Sequence, residues 1–158
     1  MNDEIVLRDY RTTDLDAMFH LDQECFSAKF RFDRESIQMF VEEQDAVVRI
    51  AEKTGAEIVG FVIVHMEHAA KGERGYVVTL DVDAKYRGRG IARRLMEQAE
   101  ARIAAVGALS MELHVFTRNE AAIRFYERLG YERIAERLGF YGKTGLDAFV
   151  YRKKLIFV

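Results

Sequence analysis

The sequence predicts an α/β domain, a mixed β-sheet with helices packed on it, in the order βααβββαβαββ. Three observations carry that expectation. Strand-like alternation of apolar and polar residues recurs along the chain, a helical-period stripe at 90–106 lies between two such segments, and glycine marks the turns in a chain without proline. The 158 residues, 49% hydrophobic and 32% charged, fit one domain over 1–158. A chain of this length buries about 70% of the surface it exposes when unfolded. No Pro-rich or Gly/Ser-rich linker and no internal repeat divides it.

Each element has its own signal. Glu4–Tyr10 alternates as a strand. Thr13 or Asp14 caps a helix to about Cys25, with Leu15, Met18, Phe19 and Asp22 at helical spacing. Asp33 caps a second, short helix through Glu43. Ala46–Glu52 and Glu57–Glu67 flank Lys53-Thr54-Gly55-Ala56 and form a hairpin. Glu73-Arg74-Gly75 reads as a turn before a strand at Tyr76–Val82. From Gly90 to about Val106, Ala92, Leu95, Met96, Ala99, Ile103 and Val106 form one apolar stripe. Leu109–Phe116 is a strand. Asn119 caps a helix carrying Ala122, Phe125, Tyr126 and Leu129, and Gly130 supplies its left-handed stop. Tyr131–Leu138 and Asp147–Phe157 close the chain as strands joined by Gly139–Leu146. Segments 76–82, 90–106 and 109–116 form a right-handed βαβ unit, which makes the two strands parallel neighbours.

Composition excludes several classes of function. With 24 Lys+Arg against 26 Asp+Glu the net charge is −2, which argues against a whole-domain grip on nucleic acid. The longest apolar run, Ile58–Val64, is far short of the ~20 residues of a membrane span. Met1–Glu4 is acidic and lacks the pattern of a signal peptide, so the expected location is cytoplasmic. A single cysteine, Cys25, rules out an intrachain disulfide and a multi-cysteine zinc site, and it is expected as a buried structural residue. His65-x-Glu67-His68 has metal-ligand residue types, but the zinc-deaminase pattern needs a later Pro-Cys-x-x-Cys, so no metal is expected.

Arg87-Gly88-Arg89-Gly90-Ile91-Ala92 joins a strand end to a helix start. Unpaired N–H groups, the helix dipole and glycines that admit a ligand close to the backbone suit a pyrophosphate. Lys85, Arg87, Arg89, Arg93 and Arg94 add positive charge. A P-loop would end in Gly-Lys-Ser/Thr, which is missing. The dinucleotide fingerprint would need a small residue where Arg93 stands, although Glu112 lies near the place of the ribose-binding acid. A plain β–α turn with a solvated basic face is the other reading.

The same segment resembles the (Gln/Arg)-x-x-Gly-x-(Gly/Ala) signature of the GCN5-related N-acetyltransferase (GNAT) superfamily, with Arg87, Gly90 and Ala92 at the fixed positions. The element order is similar over essentially the whole chain. The resemblance implies the acyl-CoA N-acyltransferase fold, with the acetyl-CoA pyrophosphate on Arg87, Gly88, Arg89, Gly90, Ile91 and Ala92. It also implies that Leu80, Asp81 and Val82 line the pantetheine arm. Leu113–Tyr131 resembles the N-α-acetyltransferase branch, both bacterial ribosomal-protein alanine acetyltransferases and eukaryotic catalytic subunits. There Asn119 would contact the pantetheine arm, and Tyr126 would lie by the thioester sulfur as general acid. The Leu113-His114-Val115 stretch is most similar to the eukaryotic E-type subunit, which implies His114 and Tyr76 as a water-linked base. Bacterial relatives carry Glu where His114 stands. By resemblance Phe26 and Phe30 wall the pocket for the first acceptor side chain, and Tyr141 bonds the acceptor backbone. Ser27-Ala28 replaces a proline-containing turn, so the Met-first preference of E-type subunits does not carry over.

Acetyl transfer to an amine needs a neutral nitrogen, a stabilised oxyanion and a proton for the leaving thiolate. An imidazole of ordinary pKa ~6.5 suits an α-amine near ~7.7–8.0 better than a lysine near ~10.4. The expectation is therefore an acetyl-CoA-dependent N-acetyltransferase acting on the N-terminus of a peptide or protein by direct attack in a ternary complex. Beside it stand an enzyme of this fold acting on a small amine or a lysine, and an acyl-CoA-binding module without turnover. Monomer and homodimer both remain open.

Overall fold

The computed structural model describes residues 4–70 and 72–155, with the backbone alone at Lys143. Its elements are β1 (Ile5–Asp9), α1 (Leu15–Cys25), α2 (Arg34–Glu42), β2 (Val47–Lys53), β3 (Glu57–Ala69), β4 (Gly72–Val82), α3 (Ile91–Ala105), β5 (Ser110–Phe116), α4 (Glu120–Arg128), β6 (Glu132–Arg137) and β7 (Ala148–Lys154). This is the predicted βααβββαβαββ order, with 3₁₀ turns at Thr12–Asp14, Ala84–Tyr86 and Gly142–Thr144. The strands form one mixed seven-stranded sheet, β1-β2-β3-β4-β5-β7-β6, in which only β4 and β5 run parallel. Among the described residues no helix is long and apolar enough to cross a membrane.

Both faces of the sheet are covered. Leu95, Met96, Ala99 and Ile103 of α3 pack with Val59, Val62, Val64 and Met111 on one face. Leu15, Met18 and Leu21 of α1 and Ile37 of α2 pack with Val48, Ile50, Phe61 and Ile63 on the other. Being central, β3 is buried on both sides, which is why Val59–Val64 reads as a continuous apolar run instead of an alternation. Asp33 accepts from Ser36 N at 2.7 Å as the cap of α2, and Gly130, at φ +97°, ends α4.

Three expectations are corrected. Glu73-Arg74-Gly75 is strand, not turn: Ala69 pairs with Gly72, so β3 already reverses there, and Arg74 and Gly75 pair on to Ser110 and Met111. The glycine serves packing, because a Cβ at Gly75 would lie 2.8 Å from Met111 Sδ and 3.0 Å from Ile103 Cγ1. Val106 leaves the apolar stripe and is exposed, since α3 ends at Ala105 and the chain turns through Gly107 at φ +111°. Cys25 is half-buried, with its thiol donating to Val82 O at 3.4 Å. Burial pushes that thiol up to about 11. The last strand stops at Lys154, and residues 156–157 of the predicted span lie outside the described residues.

A carboxyl pair joins α1 to β4. Asp22 and Asp81 are 0% and 1% exposed. Asp22 Oδ2 accepts from Phe32 N at 2.8 Å, and Asp81 Oδ1 from Thr79 Oγ1 at 2.5 Å. Their remaining oxygens, Asp22 Oδ1 and Asp81 Oδ2, are buried without a hydrogen-bond partner among the described residues, and the two carboxyl groups act on each other electrostatically. Two buried carboxyl groups so placed do not both ionise readily, and a proton kept on one of them removes the repulsion. Burial, then the Asp22 carboxyl, push Asp81 well above the usual carboxylate range. A raised folded-state pKa stabilises fully below the unfolded value of ~3.9 and loses that contribution as pH rises through the folded value. Asp81→Asn keeps a donor toward Asp22 and does not ionise. Its unfolding free energy, compared with wild type by urea titration, should therefore rise relative to wild type as pH increases above ~3.9. A difference independent of pH would show that Asp81 is not held protonated.

Candidate active site

The site begins where two parallel strands part. β4 and β5 pair only at Arg74–Ser110, Gly75–Met111 and Tyr76–Glu112. Beyond that point β4 stays on β3 as far as Val82, while Leu113–Phe116 of β5 stays on β7. The β3–β4 register skips Val78, Ile63 pairing with Thr79 and Val64 with Val77. A bulge of this kind bends and twists its strand, and here it falls immediately after the last β4–β5 pair. The facing edges of Val77–Val82 and Leu113–Phe116 thus form a wedge whose backbone groups are not used by the sheet. An extended polar chain can occupy such an edge.

At the open end of β4 lies the glycine turn. Gly88 and Gly90 have φ +78° and +80°, and a Cβ on either would meet only open space. Glycine is required there by the left-handed backbone, not by crowding. Gly90 caps α3 without a side-chain bond, so the first N–H groups of α3, beginning with Ile91 and Ala92, lack a capping side chain. Arg87 Nε turns back to Val82 O at 3.0 Å, and the Arg89 guanidinium lies 4.8 Å above the Tyr86 ring. Arg93 bonds Glu97 and Arg94 bonds the Ile5 carbonyl. Asp81 borders the wedge through its backbone, while its carboxyl faces Asp22 and Thr79.

At the closed end, Tyr76 and His114 meet. The Tyr76 hydroxyl is 2.8 Å from His114 Nδ1. Leu113 and Val115 point into the core, which leaves His114 on the opposite face, half-buried. The ring of Phe140 stacks on His114 at 4.0 Å with an interplanar angle of 2°. Burial lowers the His114 pKa below 6.5; Glu112 and Glu67 oppose the shift, and Arg137 and Arg74 add to it. The imidazole is therefore neutral at pH 7 and can accept a proton. Burial raises Tyr76, so its hydroxyl keeps its proton. Glu112, 6% exposed, accepts from Arg74 at 3.2 Å and from Arg152 at 3.0 and 3.2 Å. Its carboxylate is thereby engaged inside the protein, which removes the one feature that favoured a dinucleotide ribose.

Tyr126 of α4 packs edge-on to Phe125 and Tyr131, at 5.1 and 5.8 Å. Its hydroxyl has no hydrogen-bond partner among the described residues. Burial, then the nearby Asp81 and Tyr141, raise its pKa and keep it a donor. Asn119 caps α4, its Oδ1 accepting from Ala122 N at 3.2 Å, which leaves its amide N–H₂ for a ligand. Phe30 lies 4.9 Å edge-on from Tyr141 and 5.1 Å from Phe116, so the 26–32 and 139–146 loops meet over the end of β5. Burial pushes the Tyr141 hydroxyl up to about 12. Phe26 is half-buried at the end of α1 and makes no ring contact among the described residues. Sequence reasoning missed Phe140 and Phe116 here. The loop was visible as Gly139–Leu146, but no spacing rule says which of two adjacent aromatics turns inward. The residues of the 65–68 stretch go separate ways: His65 bonds the Phe40 carbonyl, Glu67 pairs with Arg74, and His68 with Glu73.

The sequence matches the family described as "Acetyltransferase (GNAT) family" over residues 15–131. Over 97% of its length the chain is 31% identical to an uncharacterised protein of Mycobacterium leprae, of which it covers 42%. It is 38% identical over 99 residues to N-alpha-acetyltransferase MAK3 of Arabidopsis thaliana, covering 63% of this chain and 50% of that protein. The chain spans about half the length of these curated relatives. Arabidopsis thaliana NAA60, solved in complex with a bisubstrate analogue, superimposes with a TM-score of 0.83 at 24% identity, over 96% of this chain and 98% of that one. At that identity the likeness establishes the fold.

The charges around His114 make its titration predictable. Glu112→Gln removes the carboxylate that most favours the imidazolium and leaves Arg74 uncompensated on that side. The His114 pKa, followed through its ring-proton NMR signals, should lie below ~6.5 in wild type and fall further in this variant. A rise would show that the carboxylate does not act on the ring.

Proposed function

The chain belongs to the acetyltransferase (GNAT) family, and from that premise we propose that it is an acetyl-CoA-dependent N-acetyltransferase whose acceptor is the α-amine of a peptide or protein N-terminus. The observation that carries the reading is the Tyr76–His114 pair at the point where β4 and β5 part. A proton acceptor stands there beside an unpaired strand edge. The donors present fit acetyl-CoA. The left-handed glycines and uncapped N–H groups at 88–92 suit its pyrophosphate, the β4 edge at Leu80–Val82 its amide-bearing arm, and the Asn119 amide the same arm. The named relative MAK3 is an N-alpha-acetyltransferase, and NAA60 was solved with a bisubstrate analogue.

The chain's own residues then divide the work. Phe30 and Tyr141 hold the acceptor between the two loops. His114 receives the amine proton by way of the Tyr76 hydroxyl: that oxygen takes the proton, directly or through water, as its own passes to Nδ1. Backbone N–H groups of the β4 edge face the developing oxyanion. Tyr126 gives its proton to the departing thiolate and recovers one from solvent. The lowered pKa keeps the imidazole neutral and able to accept at pH 7, where the neutral fraction of an α-amine far exceeds that of a lysine roughly 2.5 units higher.

Thiol release with acetyl-CoA tests the assignment on three acceptors: an unblocked peptide, the same peptide N-terminally blocked but containing lysine, and a small polyamine. Turnover is expected with the first only. Equal turnover on the blocked peptide would transfer the acceptor to the lysine side chain, and none on any, with acetyl-CoA binding intact, would leave a binding module. Tyr126→Phe keeps the ring and its packing. It should lower turnover about 10²–10⁴-fold with acetyl-CoA affinity and thermal stability little changed. Parallel losses of stability and rate would make Tyr126 a packing residue.

A further inference from the structure

Phe140 is 42% exposed, yet its ring lies flat on His114 at 4.0 Å and 2°. A ring so exposed gains little from core burial, so it is this overlap that fixes its place. The loop that carries it is braced. Gly139 N donates to Asp147 Oδ1 at 2.7 Å, Tyr141 N to Leu146 O at 3.1 Å, and Gly142 N to Gly139 O at 3.1 Å. Tyr141 crosses Phe140 edge-on at 5.0 Å and reaches Phe30 at 4.9 Å, so the residue that touches the opposite loop is bonded to the one that covers the imidazole.

We propose that Phe140 is a positioning residue for the base: its ring, stacked on His114, holds the imidazole in the plane in which Nδ1 meets the Tyr76 hydroxyl, so that seating of the 139–146 loop and readiness of the base are one event. This rests on His114 being the base. A histidine ring turns about a soft terminal torsion, and a single bond at Nδ1 leaves room to rock about that contact. A parallel cover removes the freedom, and catalytic geometry of this kind tolerates little of it. The cover also excludes water from one face of the ring, in the direction of the lowered His114 pKa. The other groups acting on His114 are Glu112 of β5, Glu67 of β3, Arg74 and Tyr76 of β4 and Arg137 of β6. Substitution at Phe140 leaves all of them in place.

The experiment pairs the His114 titration, read from ring-proton NMR signals assigned by their loss in His114→Ala, with the pH profile of kcat for acetyl-CoA and the unblocked peptide. Wild type, Phe140→Ala and Phe140→Leu are compared. In Phe140→Ala the His114 pKa should rise toward ~6.5, the acidic limb of kcat should move up with it, and plateau kcat should fall about tenfold or more while the acceptor KM changes less. Phe140→Leu keeps an apolar cover without a flat face. It should hold the titration near wild type and recover little of the lost kcat. If neither titration nor plateau kcat moves in Phe140→Ala, while limb and titration agree in wild type, the positioning role is overturned. A wild-type limb that does not follow the His114 titration overturns instead the assignment of the base.

Discussion

The site depends on one constraint: β4 must keep its partner on one edge while losing it on the other. β3 holds β4 as far as Val82, and β7 holds β5 as far as Phe116. Neither strand is free to drift, so the gap between them has fixed walls. The bulge at Val78 turns β4 away just past Tyr76. The apolar layers then lock the divergence in place. Ile91, Leu95 and Ile103 pack over one face, and Leu21 and Ile37 over the other. Unpaired backbone groups are costly when buried and dry, so a wedge of this kind persists only where a ligand or water takes the place of the missing strand.

Much of this scaffold was legible from short-range signals. The Asp33 cap, the Gly130 stop and the α3 stripe are local: each depends on residues within a turn or two, and each, apart from Val106 at the end of the stripe, stands where its spacing placed it. Gly75 shows where such reading fails. It looks like a turn residue, yet it is glycine because Met111 and Ile103 leave no room for a Cβ. That crowding comes from β5 and α3, dozens of residues away along the chain. Arg74 likewise reads as turn polarity but is a cross-strand partner of Glu67 and Glu112.

The site was legible in a different way. Nothing in local spacing joins Tyr76 to His114; their proximity was expected only by resemblance to a family. The contact itself, at 2.8 Å, follows from the Tyr76–Glu112 register, which sets residue 114 one alternation further along the same face of β5. Phe140 and the Asp22–Asp81 pair escaped altogether. Adjacent aromatics in a loop carry no period from which to infer direction, and although Asp22 falls on the α1 stripe and Asp81 was expected beside the pantetheine arm, no spacing joins one aspartate to the other.

The buried carboxyl groups show how charge is managed around the base. Glu112, two residues from His114 on the same face, receives bonds from Arg74 and Arg152. A bare carboxylate so near would pull the imidazole toward its charged form. Arginine donors on it, with Arg137 beyond, blunt that pull, and burial then prevails. Further along the same face of the sheet no arginine among the described residues bonds the Asp22–Asp81 pair, and there the raised Asp81 keeps its proton instead. The two arrangements have one result at the wedge: fixed negative charge is kept from dominating a site that has to release a proton from an amine and hold it on a neutral imidazole.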